Sequence, residues 1–334
     1  MRIFCVTIGE KVKMKLKQSL LMFVLALFAV VLVACGNNET KKEDGKSGDT
    51  KEEKSEVVVK HEYGETPVQV NPKKVVVFDF GSLDTIEKLG ASDSVVAVPR
   101  KNVPGYLSAF DNDNVINAGG LKEPDFEAIK EAEPDLIIIS GRQADSYDQF
   151  SEIAPTIYMA VDEADFVNSF KKNVTTLGEI FGKEDVAKTE LEAIDKEIAD
   201  VKAKVSADKK GLIVLSSAKE LSAYGPGSRF GIIHDVLGIT PADESIKVST
   251  HGNNVTSEYV FEKNPDYLFV IDRDVAVGEK STLKETVQNE IIAKTNAAKE
   301  GKIIQLNPEY WYLSGGGLIS VAEMVKEVSE GIAQ

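Results

Sequence analysis

Two stretches of this chain read alike: Glu127-Ala-Ile-Lys-Glu-Ala-Glu-Pro134-Asp135-Leu-Ile-Ile-Ile-Ser-Gly-Arg142 and Glu258-Tyr-Val-Phe-Glu-Lys-Asn-Pro265-Asp266-Tyr-Leu-Phe-Val-Ile-Asp-Arg273. In both, Glu precedes Pro by seven positions and Arg follows Glu by fifteen. Each reads as a helix, a Pro-Asp turn, an apolar strand, and an arginine just past the strand's carboxyl end. Proline closes the helix because it lacks an N–H and drives the residue before it out of the helical region. The apolar runs lack alternation, which suits parallel strands covered on both faces. One helix-turn-strand unit used twice predicts an α/β protein of two Rossmann-like lobes with parallel-rich sheets and a ligand cleft between them.

Further strands are expected at Val75–Phe80, Ser94–Val98, Gly211–Ser216 and Lys302–Leu306, beside Leu136–Ser140 and Tyr267–Ile271 within the repeats. Between the halves lies a helical stretch, Glu184 to Val205. Val186, Leu191, Ile194, Ile198, Val201 and Val205 recur at three-to-four spacing, apart from one five-residue step. That is one apolar stripe, and it predicts a single long helix joining the lobes rigidly. The expected organisation is an N-terminal lobe over 61–183, a connecting helix over 184–206 and a C-terminal lobe over 207–334.

Ahead of the lobes, Met14-Lys15-Leu16-Lys17 is a basic start, which makes Met14 the better initiation site. An apolar run from Leu20 to Ala34 and then Cys35 follow it. Leu32-Val33-Ala34-Cys35 has the form of a lipobox, so residues 1–34 read as a signal peptide and Cys35 as the lipidated residue. Fifteen apolar residues fall short of the roughly 18–20 that cross a bilayer. Residues 35–60 begin polar and carry many Lys, Glu, Gly and Ser, the composition of a disordered tether. The other cysteine, Cys5, lies in the removed segment, so no disulfide is expected and the core must hold the fold.

The net charge is −15, and the signal segment contributes five basic residues against Glu10 alone, so the remainder is more acidic still. That excludes nucleic acid as a partner. Beyond Cys35 there are thirty lysines but only four arginines: Arg100, Arg142, Arg229 and Arg273. Arg100, Arg142 and Arg273 each follow a strand, and Arg229 follows the turn Tyr224-Gly-Pro-Gly-Ser228. Ligands of open α/β sheets sit outside the carboxyl ends of the strands. A guanidinium there donates a fixed fork of hydrogen bonds to an oxygen-rich anion and stacks on aromatic rings.

These features resemble the solute-binding proteins of ferric-siderophore and vitamin B12 ABC importers, and most closely the petrobactin-binding lipoproteins of Bacillus. The resemblance is carried by Asn71-Pro-Lys-Lys-Val-Val-Val-Phe-Asp-Phe-Gly-Ser-Leu-Asp-Thr85, Pro134-Asp-Leu-Ile-Ile-Ile139, Ala154-Pro-Thr-Ile-Tyr158, Ser249-Thr-His-Gly252, Asn264 to Arg273 and Trp311-Tyr-Leu-Ser-Gly-Gly-Gly317. It implies a surface receptor without catalysis or resident cofactor, with iron(III) entering only inside the siderophore. By the same resemblance Arg142, Arg229 and Arg273 contact catecholate oxygens, with Arg100 or Lys101 as a further basic position at the rim. His251 and Tyr312 match a pair that completes the iron coordination of a tetradentate siderophore, and with a hexadentate one neither is a metal ligand. Glu127 and Glu258 match the acidic residue of each lobe that docks on the permease. The implied partners are the permease and its ATPase, and the membrane through the lipid. The implied state is a monomer on the extracellular face of a Gram-positive membrane.

Other classes fare worse on the residues themselves. There is no His-Glu-x-x-His and no Gly-x-Ser-x-Gly, and His61, His234 and His251 lack ligand spacing. A bare-metal receptor needs clustered His and carboxylates. Haem or cobalamin on the same fold is the nearest alternative. Gly315-Gly316-Gly317 reads as the turn into the last helix, whose start is a weak candidate for anion binding. Trp311, the only tryptophan, is expected to report on the cleft.

Overall fold

The Pro-Asp motif plays the same part in both halves of the computed structural model, which describes residues 55–333. The helix Phe126–Glu131 is capped by Asp125, which accepts the Ala128 N–H, and the helix Ser257–Lys263 by Thr256, which accepts that of Tyr259. Each run then passes through a left-handed residue just before its proline, Glu133 (φ 48°) and Asn264 (φ 41°). The aspartate beyond takes the amides leading into the neighbouring strand. Asp135 accepts from Lys73 and Lys74 (2.8 and 3.1 Å), and Asp266 from Lys210 (2.9 Å). These side chains fix the register of the paired strands before any apolar contact is counted.

In the N-terminal lobe a hairpin of β1 (Glu56–His61) and β2 (Gly64–Gln69) precedes the sheet strands β3 (Val75–Val77), β4 (Val95–Val98), β5 (Ile116–Asn117), β6 (Leu136–Ile139) and β7 (Thr156–Tyr158). The sheet is wholly parallel, in the order β5-β4-β3-β6-β7. The hairpin corrects the expected tether boundary, because the folded chain begins by Glu56 rather than at 61. Val57, Val59 and Val68 alternate with exposed residues and bury on the lobe, the period-two pattern of a strand. The signal segment, Cys35 and the rest of the expected tether lie outside the described residues.

The C-terminal lobe contains β8 (Lys210–Ser217), β9 (Glu220–Tyr224), β10 (Thr240–Pro241), β11 (Asn253–Val255), β12 (Tyr267–Asp272) and β13 (Ile303–Leu306). The order is β11-β9-β8-β12-β13, with β10 alongside β8. β8, β12 and β13 are mutually parallel, whereas β9 runs antiparallel to β8 and β11 antiparallel to β9. The β8–β9 turn places Ala218 (φ 50°) and Lys219 (φ 69°) in the left-handed region. A tight hairpin turn demands that conformation but non-glycine residues resist it. Buried Asp274 holds the turn by accepting the Ala218 N–H (2.9 Å), and Thr282 accepts that of Lys219 (3.2 Å).

The lobes are joined by the helix Glu184–Lys202. Val186, expected to begin its buried stripe, is 38% exposed, and Ala187 is buried in its place. The steps 187, 191, 194, 198, 201 then have no five-residue gap, so the buried face follows helical geometry to the helix end, which falls at Lys202, short of the expected Val205. Ala187 is small because Gly178 on the preceding helix, Phe166–Ile180, lies against it, and a Cβ on Gly178 would fall 2.9 Å from the Ala187 Cβ. Gly178→Ala should therefore lower stability by about 1–3 kcal/mol through overpacking, read as a lower urea midpoint at unchanged slope.

Candidate functional site

Tyr312 is the point on which three of the four arginines converge. It sits in the π-helical turn Glu309–Ser314, which ends at Gly315 in the left-handed region (φ 66°). The turn stops there, so its last carbonyls have no helical donors and need outside partners. Arg142, in the turn following β6, donates to the Tyr312 and Leu313 carbonyls (2.6 and 3.2 Å). Arg229 donates to the same Tyr312 carbonyl, with its guanidinium carbon 4.3 Å from the Tyr312 ring centroid. Arg273, first residue of the helix after β12, donates from Nε to the Tyr312 hydroxyl (2.9 Å) and from a terminal nitrogen to Ser217 Oγ (3.1 Å). Ser217 is aimed by the strained β8–β9 turn. Arg142 comes from the N-terminal lobe and Arg229 and Arg273 from the C-terminal lobe, so the cluster straddles the cleft.

Among the described residues none of these three arginines is in an ion pair with a carboxylate. Burial pushes the Arg142 guanidinium down to about 10, and the neighbouring Arg229 adds to this, yet it stays charged at neutral pH. The three guanidiniums pull the Tyr312 hydroxyl below its usual value despite burial. Asp79, which caps the helix Phe80–Lys88, and Glu163 lie near enough to feel Arg142 and Arg229 respectively. Burial raises both carboxyls above the usual carboxylate range. The result is a cluster of positive charge in an acidic protein, with donors partly occupied by backbone carbonyls. Neutral carbonyls are weaker acceptors than anionic oxygens, so a compact anion is favoured to replace them.

The remaining candidates are dispersed. Arg100 follows β4 but pairs with Asp111 (3.0 Å) and, more loosely, Asp113 (3.8 Å), away from the Tyr312 group. Lys101 beside it is exposed. His251 is exposed too, next to Gly252, which packs on the Tyr224 ring. Tyr224 is itself close enough to Arg229 and Tyr312 to feel their charges. Glu127 and Glu258 both occupy the first turn of their helices and point into solvent, at matching positions of the repeat. His234 is buried with its Nδ1 2.7 Å from the Ile239 carbonyl, a packing role.

Two expectations change. The start of the last helix, Leu318–Ala333, is filled by the protein's own carboxylate, because Asp84 accepts the N–H groups of Ile319 and Ser320 (3.1 and 3.0 Å). No anion site remains there. Trp311 is 2% exposed and donates to Glu327 (2.8 Å), so it faces the helix rather than the cleft. Asp79, Glu163 and Ser217 went unnoticed in the sequence because nothing in their local pattern distinguishes them from surface polar residues.

The comparisons with known proteins agree with this architecture. The chain is 51% identical over 320 residues to the petrobactin-binding protein YclQ of Bacillus subtilis (strain 168), covering 95% of this chain and 99% of that one. The crystal structure of YclQ superposes with a TM-score of 0.82 at 52% identity, over 84% of this chain and 100% of that chain. The periplasmic catecholate-siderophore binding protein VctP of Vibrio cholerae superposes with a TM-score of 0.77 at 31% identity, over 82% of this chain and 99% of that chain. Residues 75–310 match the periplasmic binding protein family, and the chain belongs to that family.

Proposed function

We propose that this protein captures an anionic ferric siderophore of the catecholate type, ferric petrobactin first among them, and hands it to an ABC permease for iron uptake. The observation that carries this is the convergence of Arg142, Arg229 and Arg273 on Tyr312 without a carboxylate partner, in a chain of net charge −15. Catecholate oxygens bound to iron(III) carry the negative charge and planar edges that guanidinium forks match. The petrobactin-binding relative YclQ, half identical over nearly the whole chain, supports the choice of cargo.

In this reading Arg100 or Lys101 touches cargo only at the rim, and His251 and Tyr312 enter the iron shell only when a siderophore leaves positions vacant. Phenolate and imidazole are both competent ligands for ferric iron. Glu127 and Glu258 dock on the permease, and lipid on Cys35 keeps the receptor beside its importer on the outer face of a Gram-positive membrane. No bond is made or broken in the cargo. Haem and cobalamin lack the concentrated catecholate charge that three arginines address.

Calorimetric titration with ferric petrobactin, ferric bacillibactin and a ferric hydroxamate in parallel tests the proposal. Tight binding of petrobactin, weaker binding of bacillibactin and none of the hydroxamate is the expected order. A response to the hydroxamate alone would overturn it.

A further inference from the structure

Beyond the arginines, the rim of the N-terminal lobe carries an aromatic platform that the function so far leaves unused. Tyr63, at the tip of the β1–β2 hairpin, stacks on Tyr147 with centroids 4.1 Å apart and planes 9° from parallel. Tyr158, at the end of β7, meets Tyr63 edge-on at 5.4 Å. His61 lies against Tyr147 at 5.8 Å, and burial, with the charge of Lys172 adding to it, lowers its imidazole pKa. The Tyr63 hydroxyl donates to the Ala144 carbonyl (3.2 Å), which ties the hairpin tip to the turn that holds Arg142.

The platform adjoins the arginine cluster. Gly141, the residue before Arg142, presents its Cβ direction to the Tyr158 hydroxyl at 3.6 Å. Asp79 is close enough to influence both Arg142 and Tyr158. Burial, with Glu62 and Asp79 nearby, pushes the Tyr158 hydroxyl up to about 12, so it remains a neutral phenol. Tyr63 is 40% exposed, an unusual place for a large ring within a stack.

Carboxylates predominate around the platform, against the cation Lys172, whose charge reaches His61 and whose ammonium donates to the Lys60 carbonyl (2.9 Å). Glu62 neighbours Tyr63, and Asp145 and Asp148 flank Tyr147; all three are exposed, and they add to desolvation in raising the Tyr63 hydroxyl pKa. Among the described residues none of the three is in an ion pair, whereas Lys60 nearby is taken by Glu65 (2.9 Å). Aromatic faces attract ammonium groups through the ring quadrupole, and adjacent carboxylates add to the attraction. Aromatics left exposed solely to pin a hairpin would gain nothing from three unneutralised carboxylates around them.

We propose that the ligand cleft continues past Arg142 onto the Tyr63–Tyr147–Tyr158 platform, which receives an ammonium-bearing arm of the cargo. The inference rests on the siderophore reading and sharpens it. The arginines take the anionic iron centre and the platform a cationic arm, so the two ends together select a cargo with both charges. A uniformly anionic complex gains only the first contact.

The test compares two probes on the full chain. One is the iron(III) complex of 3,4-dihydroxybenzoate, and the other is the iron(III) complex of the same ring joined by an amide to a linear polyamine. The ratio of their dissociation constants is the readout. Wild-type protein should favour the polyamine complex, and Tyr63→Ala should shrink that preference ~3–10-fold, as expected for losing a cation–π contact beside carboxylates. Tyr63→Phe keeps the ring and should keep the preference, while Glu62→Gln should reduce it in a salt-sensitive way. An unchanged ratio in both Tyr63→Ala and Glu62→Gln would overturn the platform alone. So would equal losses in Tyr63→Phe and Tyr63→Ala, because they would trace the effect to the bond with Ala144. Wild-type protein that binds neither probe would overturn the siderophore reading itself, and this one with it.

Discussion

An Asp84→Ala variant should lose about 3–5 kcal/mol of stability, although the residue touches neither the arginines nor the cleft. Asp84 is fully buried on the helix Phe80–Lys88 and accepts from Ile319, Ser320 and the Tyr106 hydroxyl at 3.0–3.1 Å. The first two are free N–H groups at the start of the C-terminal helix, where a carboxylate also meets the positive end of the helix dipole. Alanine would leave the Ile319 and Ser320 N–H groups without an acceptor in a buried place, while the Tyr106 hydroxyl would keep Ser314 Oγ (2.6 Å). Each such orphan costs about 1–3 kcal/mol, and some water entry offsets part of the sum. Gly317 is required by the same contact, since a Cβ there would collide with the Asp84 carboxylate and the Gly81 carbonyl. Equilibrium urea unfolding measures the loss; a change below about 1 kcal/mol would show that the cap is dispensable.

The same carboxyl makes a pH prediction with a definite sign. Burial pushes Asp84 up to about 7, against the hydrogen bonds from Ser320, Ile319 and Tyr106 that pull it down, while its ordinary value is 3.8. Between about pH 4 and 7 the native state therefore keeps a proton that the unfolded chain has released. Its contribution to stability is greatest below pH 4, falls as the pH rises, and levels off above about 7. Asp84→Asn has no proton to release, so its stability should fall less than that of wild type across this window. A steeper fall in the variant would contradict the assignment.

How much of this could be read from the sequence depends on how local each signal is. The repeat was legible because Pro, Asp and an unbroken apolar run act within a dozen residues, and the observed β6 and β12 follow it closely. The connecting helix was legible from its period; Val186 was misplaced because alanine carries too little hydrophobicity to mark a stripe, and the helix ends at Lys202 rather than Val205. The β8–β9 hairpin was missed because its turn residues are Ala218 and Lys219, held left-handed by Asp274 and Thr282 from far along the chain instead of by glycine or asparagine. Asp84 was invisible for a like reason, since its partners lie 235 and 236 residues away. Arg100 illustrates strand order. It leaves β4, on the opposite side of β3 from β6, and no local pattern says which strand exits lie next to one another.

The second large effect concerns the three arginines that do converge. Arg142→Ala, Arg229→Ala and Arg273→Ala should each weaken capture of a ferric catecholate by about 1.5–3 kcal/mol, or ~10–100-fold in Kd. Arg142 and Arg229 donate to one carbonyl, that of Tyr312, so their effects are coupled. Neighbours that share a partner depart from additivity by about 0.5–3 kcal/mol, and the Arg142→Ala/Arg229→Ala pair should show it. Lysine at 142 keeps the charge but loses the fork that meets both the Tyr312 and Leu313 carbonyls, so Arg142→Lys should recover only part of the affinity. Stability should move differently from binding. Three like charges around one tyrosine repel each other in the empty protein, and removing one relieves that repulsion while costing only bonds to neutral acceptors. The alanine variants should therefore melt close to wild type while binding poorly, the separation expected of residues kept for a ligand at the expense of the fold. Arginines with a purely structural role would give the reverse, lower melting with wild-type affinity. Titrations that return wild-type affinity for all three variants would end the case for an arginine-lined anion site.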